Sequence, residues 1–86
     1  MKIEFTFHAK QKIEILKRHG VNLTLKQIED VVAEPENVLK SNRNRFIAQK
    51  SLDNEHILRV VFVRENGDVR IITFYPAKRE RYESKL

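Results

Sequence analysis

The chain has 86 residues, with 17 lysines and arginines, 12 aspartates and glutamates and a formal net charge of +5. We expect one domain over residues 1–86, and the absence of cysteine excludes disulfides, thiol nucleophiles and cysteine-based zinc sites. No apolar run approaches the roughly 18 residues that span a bilayer, and the charged start is not a signal peptide, so we expect a cytoplasmic protein without a membrane partner.

The first twenty residues predict a short strand and a helix. Apolar and polar side chains alternate over residues 2–7, which is the pattern of a strand. Apolar residues then recur at helical spacing from about His8 to His19. Gly20 follows and supplies the left-handed residue that ends a helix, so His19 is expected to lie at its C-terminal cap.

A second helix is predicted from its first turn. Thr24 and Gln27 stand three residues apart as a capping box, in which the Gln27 side chain can return to the Thr24 amide. Pro35 closes the helix. Its expected apolar stripe is Leu25, Ile28, Val31 and Val32.

Beyond Pro35 the pattern is that of antiparallel strands. The candidate strands cover residues 38–40, 45–51, 57–64 and 69–75. Asn66-Gly67 joins the last two and is the strongest short hairpin signal, because both central residues of a type I′ turn need positive φ. With that loop, paired residues have numbers that sum to 133, which places Tyr75 opposite Leu58.

Both faces of this hairpin are largely apolar, and Arg59 and Arg70 share one of them. Two helices can cover only one face of a sheet. The second face therefore needs the C-terminal segment, another chain or a substrate. Residues 77–86 predict a short basic helix.

The expected fold class is thus α+β. A short N-terminal strand and two helices pack on a three- to four-stranded antiparallel sheet, and a short basic helix follows. Most of the charge lies late in the chain, since residues 35–86 carry eleven bases and seven acids. A basic excess in a folded domain favours an anionic partner such as nucleic acid.

No phosphate-binding loop or metal-binding motif is present, so we expect no metal and no cofactor. His8 falls in the first helical turn, where the helix dipole disfavours an imidazolium. A neutral histidine there could act as a general base on a ribose hydroxyl. The alternative is that His8 bonds the helix start or packs beside Phe7. His56 is expected to be a surface residue at the start of a strand.

The arginines form a second set of candidates. Arg59 and Arg70 lie among apolar residues and need a carboxylate partner or an anionic ligand. The alternative carboxylates are Glu29, Asp30 and Glu80. Lysines 10, 12 and 17 are expected to form a solvated helix face. Tyr75 and Tyr82 could stack on a base, although Tyr75 facing Leu58 would be part of the core.

Four motifs in this order resemble small toxins of the RelE/ParE type, closest to BrnT-like toxins and an allied uncharacterised family. Phe5-Thr6-Phe7-His8-Ala9 resembles the allied family's F-S-x-H-A start, and Arg18-His19-Gly20-Val21 is similar to the BrnT-like K-H-G-V. Leu58-Arg59-Val60-Val61-Phe62 with Arg70-Ile71-Ile72-Thr73 resembles V-V-Y with R-I-I-S, and Lys78-Arg79-Glu80-Arg81-Tyr82 resembles R-x-E-R-x-Y. The likeness covers nearly the whole chain.

The resemblance implies a metal-independent endoribonuclease toxin with RNA as substrate and an acidic cognate antitoxin as partner. In such enzymes the 2′-hydroxyl attacks the adjacent phosphate and leaves a cyclic phosphate. The implied catalytic residues are His8 or Glu80 for proton transfer and Arg59, Arg70 and Arg79 for charge stabilisation. The implied substrate-binding residues are Thr73, Lys78, Arg81 and Tyr82.

One departure from the BrnT-like pattern is that Phe74-Tyr75-Pro76 replaces A-R-K, so a basic residue after Thr73 is missing. Two other functions stay open. One is a non-catalytic module of the same fold that binds RNA or a protein. The other is an interaction protein that forms a homodimer through the exposed hairpin face.

Overall fold

The computed structural model describes residues 2–80, which form a five-stranded mixed sheet and two helices. The elements are β1 (Ile3–Phe5), α1 (Phe7–Arg18), α2 (Leu25–Ala33), β2 (Asn37–Asn42), β3 (Arg45–Ser51), β4 (His56–Glu65) and β5 (Asp68–Lys78). The strand order is β1-β5-β4-β3-β2. The predicted α+β class and both predicted helices are confirmed. The expectation of a purely antiparallel sheet with three or four strands is wrong.

The difference lies in β1, which joins the sheet parallel to β5. Ile3 pairs with Val69 and Phe5 with Ile71. Ile3 and Phe5 also pack against the buried core. A three-residue strand carries no local signal that identifies its neighbouring strand. Its partner β5 lies near the other end of the described chain, so the alternation of apolar and polar residues could not reveal the pairing.

The start of α1 differs by one residue from its prediction. Thr6 is the N-cap, and its Oγ1 accepts a hydrogen bond of 3.2 Å from the Ala9 amide. The strand therefore ends at Phe5, and Phe7 begins the helix with 76% of its surface exposed. The expected C-cap at His19 is confirmed.

The capping box of α2 is confirmed in both directions. The Thr24 amide donates to Gln27 Oε1 at 2.9 Å, and the Gln27 amide donates to Thr24 Oγ1 at 3.1 Å. Three of the four expected apolar residues are buried, but Leu25 is 45% exposed. Leu25 is the first residue of the helix, and it lies one turn before Ile28, the first residue of α2 that is buried against the sheet.

Both helices cover the same face of the sheet. Ala9 of α1 and Ile28 of α2 belong to one buried cluster with Val60 of β4 and Phe74 of β5. The full cluster is Ala9, Leu23, Ile28, Val31, Val32, Ala48, Leu58, Val60, Phe62, Val69, Ile71 and Phe74. Within the described residues, no helix is long and apolar enough to cross a membrane.

The hairpin of β4 and β5 is confirmed at its turn and corrected in its register. Asn66 and Gly67 have φ of 53° and 84°, as a type I′ turn requires. The predicted pairing holds from the turn to Phe62 opposite Ile71, where a β-bulge shifts it by one residue. Beyond the bulge, paired numbers sum to 134, and Tyr75 lies opposite Arg59. The expectation that Tyr75 faces Leu58 is therefore wrong.

The second face of the sheet carries Arg59 and Arg70, as predicted, because Arg59 pairs with Tyr75 and Arg70 with Val63. Ile57 and Arg59 on this face are buried, at 1% and 6% exposure. Of the predicted C-terminal helix, Arg79 and Glu80 are helical. Residues 81–86 lie outside the described part of the chain.

Candidate nucleic-acid interface

The outer edge of β5 has a neighbouring strand at its start but not, within the described residues, further along. β1 pairs only with residues 69–71 of β5, so within residues 2–80 the later part of this edge has no neighbouring strand. Helix α1 lies beside it instead: Thr6 Oγ1 donates to the Ile72 carbonyl at 3.2 Å. Pro76 has no amide hydrogen to offer a further strand, which suits an edge position. The polar side chains of this edge are thus presented next to a helix.

Lys12 of α1 reaches this edge. Its Nζ donates to Thr73 Oγ1 at 3.2 Å and lies 5.8 Å and 5.7 Å from the ring centroids of Phe74 and Tyr75. Burial lowers the pKa of Lys12 below its usual value of 10.5. Among the described carboxylates, none forms an ion pair with it. The expectation that Lys12 belongs to a solvated helix face is therefore wrong.

Tyr75 connects Lys12 to a second cation. Arg59 Nε donates to the Tyr75 hydroxyl at 3.0 Å, and the guanidinium carbon lies 5.8 Å from the ring centroid. Arg59 Nη1 donates to Gln49 Oε1 on the neighbouring strand. Both cations are therefore within cation–π distance of one ring. We call Lys12, Arg59, Thr73 and Tyr75 the edge cluster.

His8 stands one helical turn before Lys12. Residues four apart lie on the same side of a helix, with Cβ atoms roughly 5–6 Å apart, so His8 and Lys12 follow one another along α1. His8 is exposed, and its predicted place in the first turn is confirmed. The open alternative, in which His8 bonds the helix start, is not what the structure shows, because the Thr6 hydroxyl caps α1.

Arg70 lies away from the edge cluster, near the hairpin turn. It forms an ion pair with Glu65, which is the residue that precedes Asn66-Gly67. The carboxylates considered from the sequence are not its partner, and Asp30 pairs with Lys50 at 2.7 Å. The predicted register is correct beside the turn and already places Arg70 diagonally across from Glu65, so this pairing follows from a local signal that the list of candidate carboxylates left out.

Arg79 directly follows β5, at the end opposite Arg70, and its hydrogen bonds fix the loop that precedes β4. Its guanidinium donates to the Asn54 and Asp53 carbonyls at 3.2 Å and 2.9 Å, and to Ser51 Oγ at 2.8 Å. Arg70 and Arg79 are nine residues apart on an extended strand, about 30 Å at 3.3 Å per residue. The two arginines therefore do not meet at one phosphate, which corrects their joint assignment to charge stabilisation.

The loop beside Arg79 is also fixed by an acid. Asp53 Oδ1 accepts the amides of Glu55 and His56 at 2.8 Å, and His56 Nδ1 lies 2.9 Å from it. These contacts, led by the Glu55 amide, lower the pKa of Asp53 below 3.8. His56 begins β4, as predicted, and its contacts with Asp53 stabilise this turn.

The remaining predicted residues divide by position. Lys78 and Glu80 are exposed at the far end of β5, beyond Tyr75. Arg81 and Tyr82 lie outside the described residues. Among the predicted substrate-binding residues, the described structure places only Thr73 in the edge cluster. Among the predicted catalytic residues, it places only Arg59 there. Lys12 was missed because its contact with Thr73 depends on where α1 lies along β5.

Two other kinds of site, a ligand groove and a metal centre, are not better supported within the described residues. A groove of about 470 Å³ runs beside α2, and the side chains of Glu29 and Asp30 in its lining disfavour a polyanion. Within residues 2–80, no three His, Asp or Glu side chains come together in a group that could hold a metal ion.

Comparisons of the chain with protein-family models, with curated proteins and with solved structures find no match. The likeness to RelE/ParE-type toxins therefore stays a prediction that rests on its four sequence motifs.

Proposed function

We propose that this chain is a toxin-type protein that binds single-stranded RNA along the open part of the β5 edge and cleaves it without a metal ion. One observation carries the proposal. Lys12 is half-buried over two aromatic rings, donates to Thr73 and has no described acidic partner. An ammonium group in that setting favours an anionic ligand, and a phosphodiester supplies one.

The edge cluster offers the two contacts that a single strand of RNA uses. Lys12 and the Thr73 hydroxyl can bind one phosphate, with the ammonium providing most of the attraction. The half-buried Tyr75 side chain could offer its ring for base stacking, which is largely independent of base identity. Arg59 fixes the orientation of Tyr75 through the 3.0 Å hydrogen bond to its hydroxyl.

His8 is the general base of the proposed cleavage. It removes the proton of the ribose 2′-hydroxyl, the 2′-oxygen forms a bond to phosphorus, and the bond from phosphorus to the 5′-oxygen breaks. The Lys12 ammonium stabilises the charge on the pentacoordinate phosphate and gives a proton to the departing 5′-oxygen. Burial lowers the pKa of Lys12, which makes it a better proton donor than an ordinary lysine. The products are a 2′,3′-cyclic phosphate and a 5′-hydroxyl.

The toxin assignment, the RelE-like fold and an acidic antitoxin belong to the same proposal. They are supported by the order of the four motifs and by the basic second half of the chain. Inducing the chain in a bacterial host should arrest growth, and a short acidic protein encoded in the neighbouring reading frame should relieve the arrest.

The direct test is RNA cleavage in the presence of EDTA, with the ends identified by mass spectrometry. The wild type should leave cyclic-phosphate and 5′-hydroxyl ends, and His8→Ala should reduce the rate by about 100-fold or more. His19→Ala is the matched control, since His19 is exposed at the opposite end of the same helix. Intact RNA with the wild type, or equal rates for the two variants, would contradict the catalytic proposal.

A second candidate is a non-catalytic RNA-binding module of the same fold. The observation that favours it is the separation of Arg70 from Arg79, each held by contacts at its own end of β5. Binding that weakens steeply with salt while the RNA stays intact would support this candidate.

A further inference from the structure

One corner of the sheet, at the turn between β2 and β3, is strongly basic. Residues 37–52 contain four bases and no acid. Three of these bases lie around the turn, and Arg64 of β4 lies beside them, because its amide donates to the Asn44 carbonyl at 3.2 Å. We call Lys40, Arg43, Arg45 and Arg64 the basic corner.

The four bases of this corner have no acidic partner in the described structure. Each of them is exposed, and none forms an ion pair with a carboxylate of residues 2–80. The acid next to Arg64 in the chain is Glu65, and it pairs with Arg70. The positive charge of the corner is therefore not balanced within the described chain, which favours an anionic ligand.

Arg64 is positioned by an aromatic pair. Its guanidinium carbon lies 4.9 Å from the ring centroid of Phe46 and 5.8 Å from that of Phe62, and the two rings stack at 5.5 Å. Lys40 is the direct cross-strand partner of Phe46, so the two side chains leave the same face of the sheet. Because Arg64 is exposed, its guanidinium can stack on a base.

Arg43 has an unusual backbone conformation. It is the first residue of the two-residue turn between Asn42 and Arg45, and its φ is 22°. Turns of this length favour glycine or asparagine where φ is positive, because larger side chains are strained there. Asparagine stands on both sides, yet arginine occupies the positive-φ position. Such strain at an exposed turn points to a role for the side chain in binding.

We propose that the basic corner is a second binding surface for the single-stranded RNA that the edge cluster binds. The inference rests on the proposed function for the identity of the polyanion. Arg64 stacks on a base, and Lys40 and Arg43 contact phosphates of the same strand. Three strand spacings separate β2 from β5, about 14 Å at roughly 4.8 Å each. A dinucleotide has one phosphodiester and can occupy only one surface, so only a longer RNA uses both.

The test is the affinity for a labelled single-stranded RNA of about 12 nucleotides, measured by fluorescence anisotropy at low salt. Arg64→Gln should weaken binding by about fivefold and reduce the slope of log affinity against log salt by about 1. Arg18→Gln is the matched control: it removes the same charge from the exposed last turn of α1 and should change the affinity by less than about twofold. Equal affinities of the two variants would overturn the proposal.

A second variant, Arg43→Gly, separates binding from folding. Glycine adopts positive φ without strain, so the melting temperature should rise. The loss of one cation should nevertheless lower the RNA affinity by about threefold. A variant that keeps the wild-type affinity would contradict the role of the turn in binding.

Cleavage of a dinucleotide distinguishes this proposal from the proposed function. Arg64→Gln should cleave the dinucleotide at the wild-type rate, whereas Lys12→Gln should cleave it more slowly, because only the edge cluster acts on it. A slower reaction of Arg64→Gln would overturn a separate second surface. Weaker binding of the long RNA by Arg64→Gln but not by Lys12→Gln would support the basic corner and contradict the edge cluster. A wild type that does not bind the long RNA would overturn both.

Discussion

The two edges of the sheet differ in what the chain itself places beside them. The β5 edge is paired with β1 over residues 69–71 and then lies beside α1, with Lys12 over Phe74 and Tyr75. The β2 edge has no described element against its outer side, and its six residues are all exposed. The first edge is suited to side-chain chemistry with an anionic ligand, and the second is suited to backbone pairing with another strand.

This difference follows from the order of the elements. β1 and α1 come first in the chain and both lie beside β5, so the last strand is covered by the first elements. β2 follows α2 and forms the opposite edge, where no further described element reaches it. Substitutions on the two edges should therefore have unequal effects on stability.

The largest expected contrast is between Phe74 and Leu39. Phe74 is fully buried beneath the β5 edge, so Phe74→Ala should lower the free energy of unfolding by about 3–5 kcal/mol. Leu39→Ala, on the exposed β2 edge, should change the stability of the monomer by only about 0.5 kcal/mol. Urea unfolding at low protein concentration measures both, and similar losses would show that the β2 edge is packed.

A smaller contrast is expected between two arginines on the second face. Arg59 is 6% exposed and donates to Tyr75 and Gln49, so Arg59→Met should cost about 2–3 kcal/mol, as for lost buried hydrogen bonds of a charged group. Arg70 forms an exposed pair with Glu65, and Arg70→Met should cost less than about 1 kcal/mol. Thermal unfolding distinguishes the two, and the reverse order would contradict the edge geometry.

The smallest effect on stability is expected at acidic pH, from Asp53 in the loop before β4. Since contacts in the fold lower the pKa of Asp53 below 3.8, the folded state favours its ionised form. That stabilisation is present above the ordinary pKa and is lost as the pH falls through the lowered one. Asp53→Asn should flatten the acid dependence of stability, measured by thermal unfolding from neutral pH downwards.

The matched control for Asp53 is Glu14→Gln, which removes a charge from the exposed surface of α1. It should leave the acid dependence of the wild type unchanged. If Asp53→Asn and the wild type lose stability in parallel, the loop contacts do not contribute the expected stabilisation.

The features that local sequence signals predicted are those whose physics is local. The capping box of Thr24 and Gln27 and the positive φ at Asn66 and Gly67 each depend on a few adjacent residues. The parallel partner of β1 depends on contacts between distant segments. The bulge beside Ile72 lies within the hairpin, but the Asn66-Gly67 turn signal does not specify it. No periodicity within either segment encodes them.

The edge cluster was predicted only in part for the same reason. Thr73 was identified from a motif, but the one-residue bulge moved Tyr75 to a place opposite Arg59. Lys12 was interpreted as a solvated lysine because its own helix gives no indication of the rings on β5. The spacing of His8 and Lys12 by four residues was the one local signal that could have linked them.

The most direct test of the central claim is the affinity for a fluorescently labelled single-stranded RNA, measured by anisotropy at low salt. Lys12→Gln should weaken binding by about tenfold and reduce the slope of log affinity against log salt by about 1. Lys17→Gln removes the same charge from the exposed end of α1 and should change affinity by less than about twofold. Equal losses for the two variants would contradict a site at the β5 edge and indicate binding by net charge alone.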